Sequence, residues 1–137
     1  MSALKKSENP ESNPRVKAVF DDIRATRKTN LINHLWHYLA FNPELLEQTW
    51  SEVKAVMVAD SALDPLVKEM IYIAVSATNA CAYCVHSHTA AARAKGMTDD
   101  QHADLLRVMS LAAKTNQIAN ALQMPIDTAF DADQRAT

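Results

Sequence analysis

The chain has 137 residues, a formal net charge of −2 and 48% hydrophobic residues, which suits a globular domain with its own core. Its charge shows no basic surface for nucleic acid, and no apolar run approaches the roughly 18 residues that span a bilayer. The N-terminal stretch MSALKKSENPESN lacks the apolar segment of a secretory signal. We therefore predict a cytoplasmic protein that binds neither nucleic acid nor membranes, where a lone cysteine pair is more often catalytic or metal-binding than structural.

Beyond residue 12, three places combine an acceptor side chain with a following proline and predict helix starts: Asn13-Pro14, Asn42-Pro43 and Asp64-Pro65. The acceptor caps the helix, and proline fixes the backbone of the first helical residue. The first of these helices is expected to bury four apolar residues that recur at helical spacing. They are Val16, Val19, Phe20 and Ile23.

Two further helices are expected before residue 60. A short helix is predicted from Leu31 to Ala40, with Leu35 and Leu39 facing inward. The helix that begins at Pro43 is expected to run towards Val58, because apolar residues continue at helical spacing. Those residues are Leu46, Trp50, Val53 and Met57.

The second half of the chain predicts three more helices. The helix after Pro65 should end near residues 76–79, where the sequence Ser-Ala-Thr-Asn favours caps over helix interiors. Asn79 is predicted to cap a fifth helix that starts near Cys81 and ends at Gly96. Thr98 and Gln101 match a capping box that opens the last helix. Its expected apolar face consists of Leu105, Val108, Met109, Ala112, Ile118 and Leu122.

No segment alternates in the manner of a strand, so the predicted fold class is all-α, a compact bundle of about six helices. The helical domain is expected to span residues 13–130. The polar ends, residues 1–12 and 131–137, are predicted to be flexible tails.

The residues that can carry chemistry lie between Glu69 and His88. Cys81 and Cys84 form a C-x-x-C pair, and His88 follows Cys84 by four residues on the same helix face. Glu69 interrupts an apolar stripe of the preceding helix. In an antiparallel hairpin around residues 78–79, Glu69 and His88 are equally far from the turn, which predicts their contact. A thiol, a base and an orienting carboxylate would then lie together.

A thiol with the ordinary pKa of about 8.5 is mostly protonated at neutral pH, so a reactive cysteine needs a neighbour that stabilises its thiolate. The N-terminal end of the fifth helix would favour Cys81, whereas His88 would favour Cys84. We give the histidine more weight, because it can also accept and return a proton. Cys84 is therefore the predicted reactive thiol.

Glu69, Cys81, Cys84 and His88 form the pattern E-x11-C-x-x-C-x3-H, followed by an alanine-rich segment and Gly96. This pattern resembles the AhpD-type alkyl hydroperoxidases of the carboxymuconolactone decarboxylase superfamily, over about residues 40–125. The decarboxylase branch of that superfamily lacks the cysteine pair, so the chain resembles the redox branch.

The resemblance implies an AhpD-like fold and a peroxidase activity in antioxidant defence. It assigns the peroxide-attacking thiol to Cys84, the resolving thiol to Cys81, and a proton relay to His88 and Glu69. The residues require no metal or organic cofactor, and an external dithiol, of protein or lipoyl type, would restore the thiols. One departure is Tyr83, a candidate site-lining residue, where the best-studied hydroperoxidases have a histidine.

The resemblance also implies a homo-oligomer, a trimer or hexamer. Six short helices carry more apolar faces than one small core covers, which points the same way. Trp36, with His34 and His37 beside it, is predicted to lie in the core or at a subunit contact.

Three alternatives remain open for the cysteine pair. One is a thiol–disulfide reductase that acts on a protein or small-molecule disulfide. Another is a zinc-binding interaction module in which Cys81, Cys84, His88 and His86 are ligands, although four ligands from one helix surround a tetrahedral ion poorly. The third is a pair of inert buried thiols, because a free cysteine packs well as a small hydrophobe.

Overall fold

The structure is a computed structural model and describes residues 2–130. Its α-helices are α1 (Pro14–Arg27), α2 (His34–Leu39), α3 (Pro43–Val53), α4 (Pro65–Thr78), α5 (Ala82–Ala94) and α6 (Asp99–Leu122). A π-helical turn over Lys54–Val58 continues α3, and short 3-10 turns cover Pro10–Ser12 and Thr128–Phe130. No strand occurs in residues 2–130, so the all-α prediction is confirmed.

The chain divides into two compact units, Met1–Ala62 and Leu63–Thr137. The predicted tail at 131–137 lies outside the described residues, and the boundaries at 13 and 130 and the flexible tail at 1–12 stay predictions. Within the described part of the chain, no helix is both long enough and apolar enough to cross a membrane.

The first unit is built on α1, whose four predicted apolar residues are all buried. The rest of its core consists of Ile32, Trp36, Leu46 and Trp50. Trp36 and Trp50 meet edge to face with centroids 5.4 Å apart, and the Arg27 guanidinium lies 5.6 and 5.4 Å from the two ring centroids. Trp36 is therefore a core residue and unavailable as a subunit contact.

The prediction for the second helix is wrong in detail, whereas the third helix runs towards Val58 as predicted. The second helix begins at His34 instead of Leu31, and Leu35 lies outward, 42% exposed. Trp36 takes the inward position because its larger ring system buries more apolar surface. The regular part of α3 ends at Val53, where the π-helical turn begins.

The second unit is organised around a hairpin of α4 and α5. The end of α4 forms a Schellman motif, in which the Cys81 N–H donates to Ser76 O at 2.9 Å and the Ala80 N–H donates to Ala77 O at 3.1 Å. Ala80 has a φ of 55°, the left-handed conformation of this motif. Asn79 was predicted to cap the fifth helix, and this is wrong. Asn79 is the C-cap of α4, whereas Cys81 is the N-cap of α5.

The core of the second unit is small. It consists of Ile73, Ala92 and Met97, against which Leu66, Met70 and Leu105 pack. The predicted capping box of α6 is present, because Thr98 and Gln101 exchange bonds of 2.9 and 3.1 Å.

The predicted apolar face of α6 lies largely outside the core of this unit, because no residue of α6 is buried. Leu105 packs partly against the core, whereas Val108 and Leu122 are 66% and 68% exposed. The small core of this unit covers only the first turns of so long a helix.

Candidate functional site

Cys81 holds its place in the site because it caps α5. The backbone N–H of Cys84 donates to Cys81 Sγ at 3.4 Å. The sulfur is therefore the acceptor at the N-cap, where an Asn, Asp or Ser oxygen is the usual acceptor. Both cysteines are free thiols of intermediate exposure. Reagents from solvent can therefore reach the pair.

The neighbours of the two sulfurs separate their pKa values. The pKa of Cys81 is lowered, because the thiol and then the backbone N–H of Cys84 hydrogen-bond to its sulfur. The pKa of Cys84 is raised to about 11 by its bond to Cys81, by burial and by the Cys81 charge. Cys81 is therefore the thiol that loses its proton first. The sequence had led us to expect that Cys84 ionises first, because of its neighbour His88. The role of each sulfur in a reaction stays a prediction.

The predicted contact between Glu69 and His88 is present. His88 Nδ1 lies 2.7 Å from Glu69 Oε2, and the Glu69 side chain is only 5% exposed. Burial raises the pKa of Glu69, but the hydrogen bonds from His88 and Lys95 outweigh it and leave the pKa below the ordinary 4.5. An ionised Glu69 fixes the imidazole hydrogen on Nδ1, which leaves Nε2 as the nitrogen that can exchange a proton.

Lys95 is a residue of this site that the sequence analysis missed. Its Nζ lies 2.8 Å from Glu69 Oε1, so each oxygen of the buried carboxylate has its own partner, Lys95 on Oε1 and His88 on Oε2. A signal for it existed, because Lys95 follows His88 by seven residues, which places both on the same face of α5.

Tyr72 was also missed. Its ring stacks on the His88 imidazole with centroids 3.6 Å apart and an interplanar angle of 20°. Burial raises the pKa of Tyr72, and so do the charges of Cys84, Cys81 and Glu69, in that order. Tyr72 is one turn after Glu69 on α4, so the two side chains hold the imidazole from its face and from its Nδ1 edge.

This geometry agrees with the comparison to known proteins. The model of the carboxymuconolactone decarboxylase family matches residues 43–126. The chain belongs to this family. A crystal structure of the alkylhydroperoxidase AhpD core from Rhodospirillum rubrum is similar over 95% of this chain and 97% of that one, with a TM-score of 0.91 and 55% identity. The chain is thus an AhpD-type member of the carboxymuconolactone decarboxylase family, with the AhpD fold.

A relative from Paracoccus denitrificans is named uncharacterized protein 4 in the cox locus. It is 32% identical over 56 residues, which are 41% of this chain and 50% of that protein. The match thus spans about half the length of this curated relative.

The remaining site candidates of this AhpD-type chain have weaker structural support. Tyr83 is 43% exposed, and its role in lining the site stays a prediction. Within residues 2–130, no three His, Cys, Asp or Glu side chains are grouped as ligands of a metal ion would be.

Proposed function

We propose that this protein is a thiol-dependent peroxidase that reduces alkyl hydroperoxides or hydrogen peroxide through a disulfide cycle of Cys81 and Cys84. One observation carries the proposal: both free thiols lie at the start of α5, where the backbone N–H of Cys84 donates to Cys81 Sγ at 3.4 Å. One sulfur can ionise while the other is within reach for a disulfide. The similarity to an alkylhydroperoxidase core at 55% identity supports the same reaction class.

The peroxide-reducing half of the cycle balances with the two thiols alone. A thiolate attacks one peroxide oxygen, so that an S–O bond forms, the O–O bond breaks and the leaving alkoxide takes a proton to become an alcohol. The second sulfur then attacks the sulfenic acid; an S–S bond forms and the oxygen leaves as water. The dithiol supplies both electrons, and the peroxide is reduced to alcohol and water.

The proton transfers fall to His88 in this proposal. Glu69 holds Nδ1 at 2.7 Å, so Nε2 takes the proton from a reacting thiol and returns it to the leaving oxygen. The resemblance assigns the attack to Cys84, whose raised pKa makes such a base necessary. The lowered pKa of Cys81 favours the reverse order, in which Cys81 attacks and Cys84 resolves.

The oxidised pair needs an external dithiol, of protein or lipoyl type, which reduces it by thiol–disulfide exchange. The cytoplasm keeps such dithiols reduced, which is why we propose a cytoplasmic location.

A single-turnover experiment tests the function. One equivalent of hydrogen peroxide or of an alkyl hydroperoxide should convert the reduced protein to the Cys81–Cys84 disulfide, identified by mass spectrometry of peptides. Steady-state peroxide consumption should then follow with at least one dithiol, and Cys81→Ser and Cys84→Ser should each abolish it. A wild-type protein that forms no disulfide and consumes no peroxide with any reductant would contradict the proposal.

A second function is favoured by one observation. Cys81, the first cysteine of the pair, has the lowered pKa and lies at a helix N-terminus, which is the arrangement of the attacking thiol in disulfide oxidoreductases. The protein would then reduce a protein or small-molecule disulfide. Rapid reduction of a model disulfide by the dithiol form, together with slow peroxide turnover, would select this function.

A further inference from the structure

We propose that Lys95 is a positioning residue of this site. Its ammonium group binds Oε1 of Glu69 and thereby keeps the carboxylate ionised with Oε2 directed at His88. The inference rests on the proposed function only in that Glu69 and His88 serve the two thiols. It assigns a further member to the relay, one that acts on the sulfurs through Glu69.

The burial of Glu69 creates the need for a second partner. The side chain is 5% exposed, and an ionised carboxylate that is removed from water is unfavourable unless it is paired and hydrogen-bonded. His88 pairs with Oε2 alone, so the buried carboxylate needs a partner at Oε1 as well. Lys95 supplies that partner, and its ion pair with Glu69 offsets part of the cost of burial.

The division of the two carboxylate oxygens gives the orientation. Nζ of Lys95 lies 2.8 Å from Oε1, and Nδ1 of His88 lies 2.7 Å from Oε2. With Oε1 held, rotation of the carboxylate away from His88 would break an ion pair. The imidazole is in turn held by Oε2 and by the Tyr72 ring, 3.6 Å away between centroids.

The backbone fixes Lys95 where this pairing needs it. Lys95 is the C-cap of α5, and its N–H lies 3.1 Å from both Ala91 O and Ala92 O. The next residue, Gly96, has a φ of 93° and turns the chain, and the Met97 N–H closes the motif on Ala92 O at 3.0 Å. The lysine stem therefore starts from a defined point two helical turns after His88.

The charged groups around Glu69 are few among the described residues. From α5 and its C-cap come His88 and Lys95, and both lower the pKa of Glu69 against the effect of burial. From α4 itself comes Tyr72, whose own pKa the Glu69 charge helps to raise. Loss of the Lys95 charge should therefore raise the pKa of Glu69, and the carboxylate should lose its charge at a higher pH than in the wild type.

The experiment measures how fast the Cys81–Cys84 pair reacts with dithiodipyridine across the acid and neutral pH range, without any peroxide. The variants are Lys95→Met, Lys95→Arg, Glu69→Gln and the double variant Lys95→Met/Glu69→Gln. Lys17→Met is the matched control, because Lys17 forms the same kind of ion pair with Asp21, but on the surface, where the side chains are 56% and 50% exposed. Circular dichroism checks that each variant is folded.

We expect Lys95→Met to slow the reaction by about fivefold, the upper end for a partly exposed ion pair, and to move the acid limb of the pH profile to higher pH. Lys95→Arg should restore the profile, and Lys17→Met should leave it unchanged. The double variant should be no slower than Glu69→Gln alone, because Lys95 acts through that carboxylate. If Lys95→Met does not fold, Lys95→Gln, which keeps a neutral donor, replaces it and should show the same shift.

A wild-type pH profile in Lys95→Met, or losses that multiply in the double variant, would overturn the inference. The readout uses no peroxide, so its failure is distinct from that of the proposed function. A protein that consumes no peroxide but shows the expected double-variant result would refute the peroxidase and leave the role of Lys95 standing.

Discussion

The two cysteines differ because one caps a helix and the other follows it by three residues. Cys81 accepts hydrogen bonds from the thiol and the N–H of Cys84, and its pKa is lowered. The Cys84 thiol is the donor, and its pKa is raised to about 11. The same bond therefore makes one sulfur more acidic and the other less so. A difference of this kind is visible in the order of alkylation, because only the thiolate is a nucleophile.

We predict that a limiting amount of iodoacetamide at neutral pH labels Cys81 before Cys84. Cys84→Ala should slow the labelling of Cys81, because it removes the thiol donor and keeps only the backbone N–H. Cys81→Ala should lower the pKa of Cys84 from its raised value, because the sulfur that accepts its hydrogen is gone. Peptide mass spectrometry with time measures both. If Cys84 were labelled first in the wild type, His88 would stabilise the Cys84 thiolate more than the hydrogen bonds at the N-cap stabilise the Cys81 thiolate, as the sequence suggested.

Glu69 combines a structural and a chemical role, and Glu69→Gln separates them. The amide keeps the shape but removes the charge that orients His88. A general base contributes about 10²–10⁴-fold, and an orienting group accounts for only part of that. We expect turnover to fall by roughly one to two orders of magnitude, with slower thiol alkylation at neutral pH and the fold retained.

The same substitution has a signature in acid. The folded-state pKa of Glu69 is lowered from 4.5, so its ionised form stabilises the fold fully above that pH. This contribution is lost as the pH falls below 4.5 through the lower folded-state value. Denaturant unfolding of Glu69→Gln should therefore depend less on pH in this range than that of the wild type. An unfolded variant whose residual native fraction alkylates normally would make Glu69 purely structural.

At the site, the contact between Glu69 and His88 was predicted correctly, because it depends only on how far each residue lies from the turn of the hairpin. Glu69 and His88 lie equally far from residues 78–79, and they meet. Lys95 and Tyr72 were readable in principle, at seven residues from His88 and three from Glu69. To predict their contacts, one must also know along which face of the helix each long side chain extends. The lower pKa of Cys81 was not predicted. A helix start near Cys81 was expected, but the hydrogen bonds that its sulfur accepts from Cys84 were not, so His88 received more weight.

Helices α4 and α5 end in the same motif with different residues at its critical position. In each, the residue after the C-cap is left-handed: Ala80 has a φ of 55° and Gly96 a φ of 93°. The bonds of Cys81 N to Ser76 O and of Met97 N to Ala92 O, 2.9 and 3.0 Å, close the two motifs. A left-handed conformation disfavours a side chain, so only Ala80 carries local strain.

We predict opposite effects from two reciprocal substitutions at these positions. Gly96→Ala should lower the free energy of unfolding by about 1–2 kcal/mol, since an added Cβ meets nothing within 4 Å and the cost is in the backbone alone. Ala80→Gly should raise it by about 0.5–1 kcal/mol, because relief of strain exceeds the added entropy of the unfolded chain. Urea unfolding measures both. A destabilised Ala80→Gly would mean that the motif stores no strain there.

The elements themselves were predictable where local chemistry decides them. Each Asn-Pro or Asp-Pro pair begins a helix as predicted, because the cap and the proline act within one turn. Leu35 was placed on the wrong face, because periodicity alone does not say that Trp36 will pack on Trp50. The end of α4 was approximate, because no glycine marks the left-handed position that Ala80 occupies.

At the scale of the whole molecule, α6 is a helix whose apolar surface the other described residues leave largely uncovered. It is 24 residues long and has no buried residue. Val108, Leu111 and Leu122 are 66%, 60% and 68% exposed, although their spacing is that of an inward face. The apolar pattern of α6 was predicted correctly, but most of its apolar side chains do not pack into the core of this unit. Apolar patches of this kind mark association surfaces.

We therefore predict that the protein is a homo-oligomer in which α6 contacts a second copy. Light scattering at micromolar concentration should give a mass above the 15.2 kDa of one chain, and the family resemblance favours a trimer or hexamer. Val108→Glu should shift the mass towards the single chain, because a charge in an apolar interface is unfavourable. Leu31→Glu is the control, since Leu31 is also 66% exposed but lies outside α6. A wild-type mass of one chain would refute assembly, and dissociation by Leu31→Glu alone would move the interface away from α6.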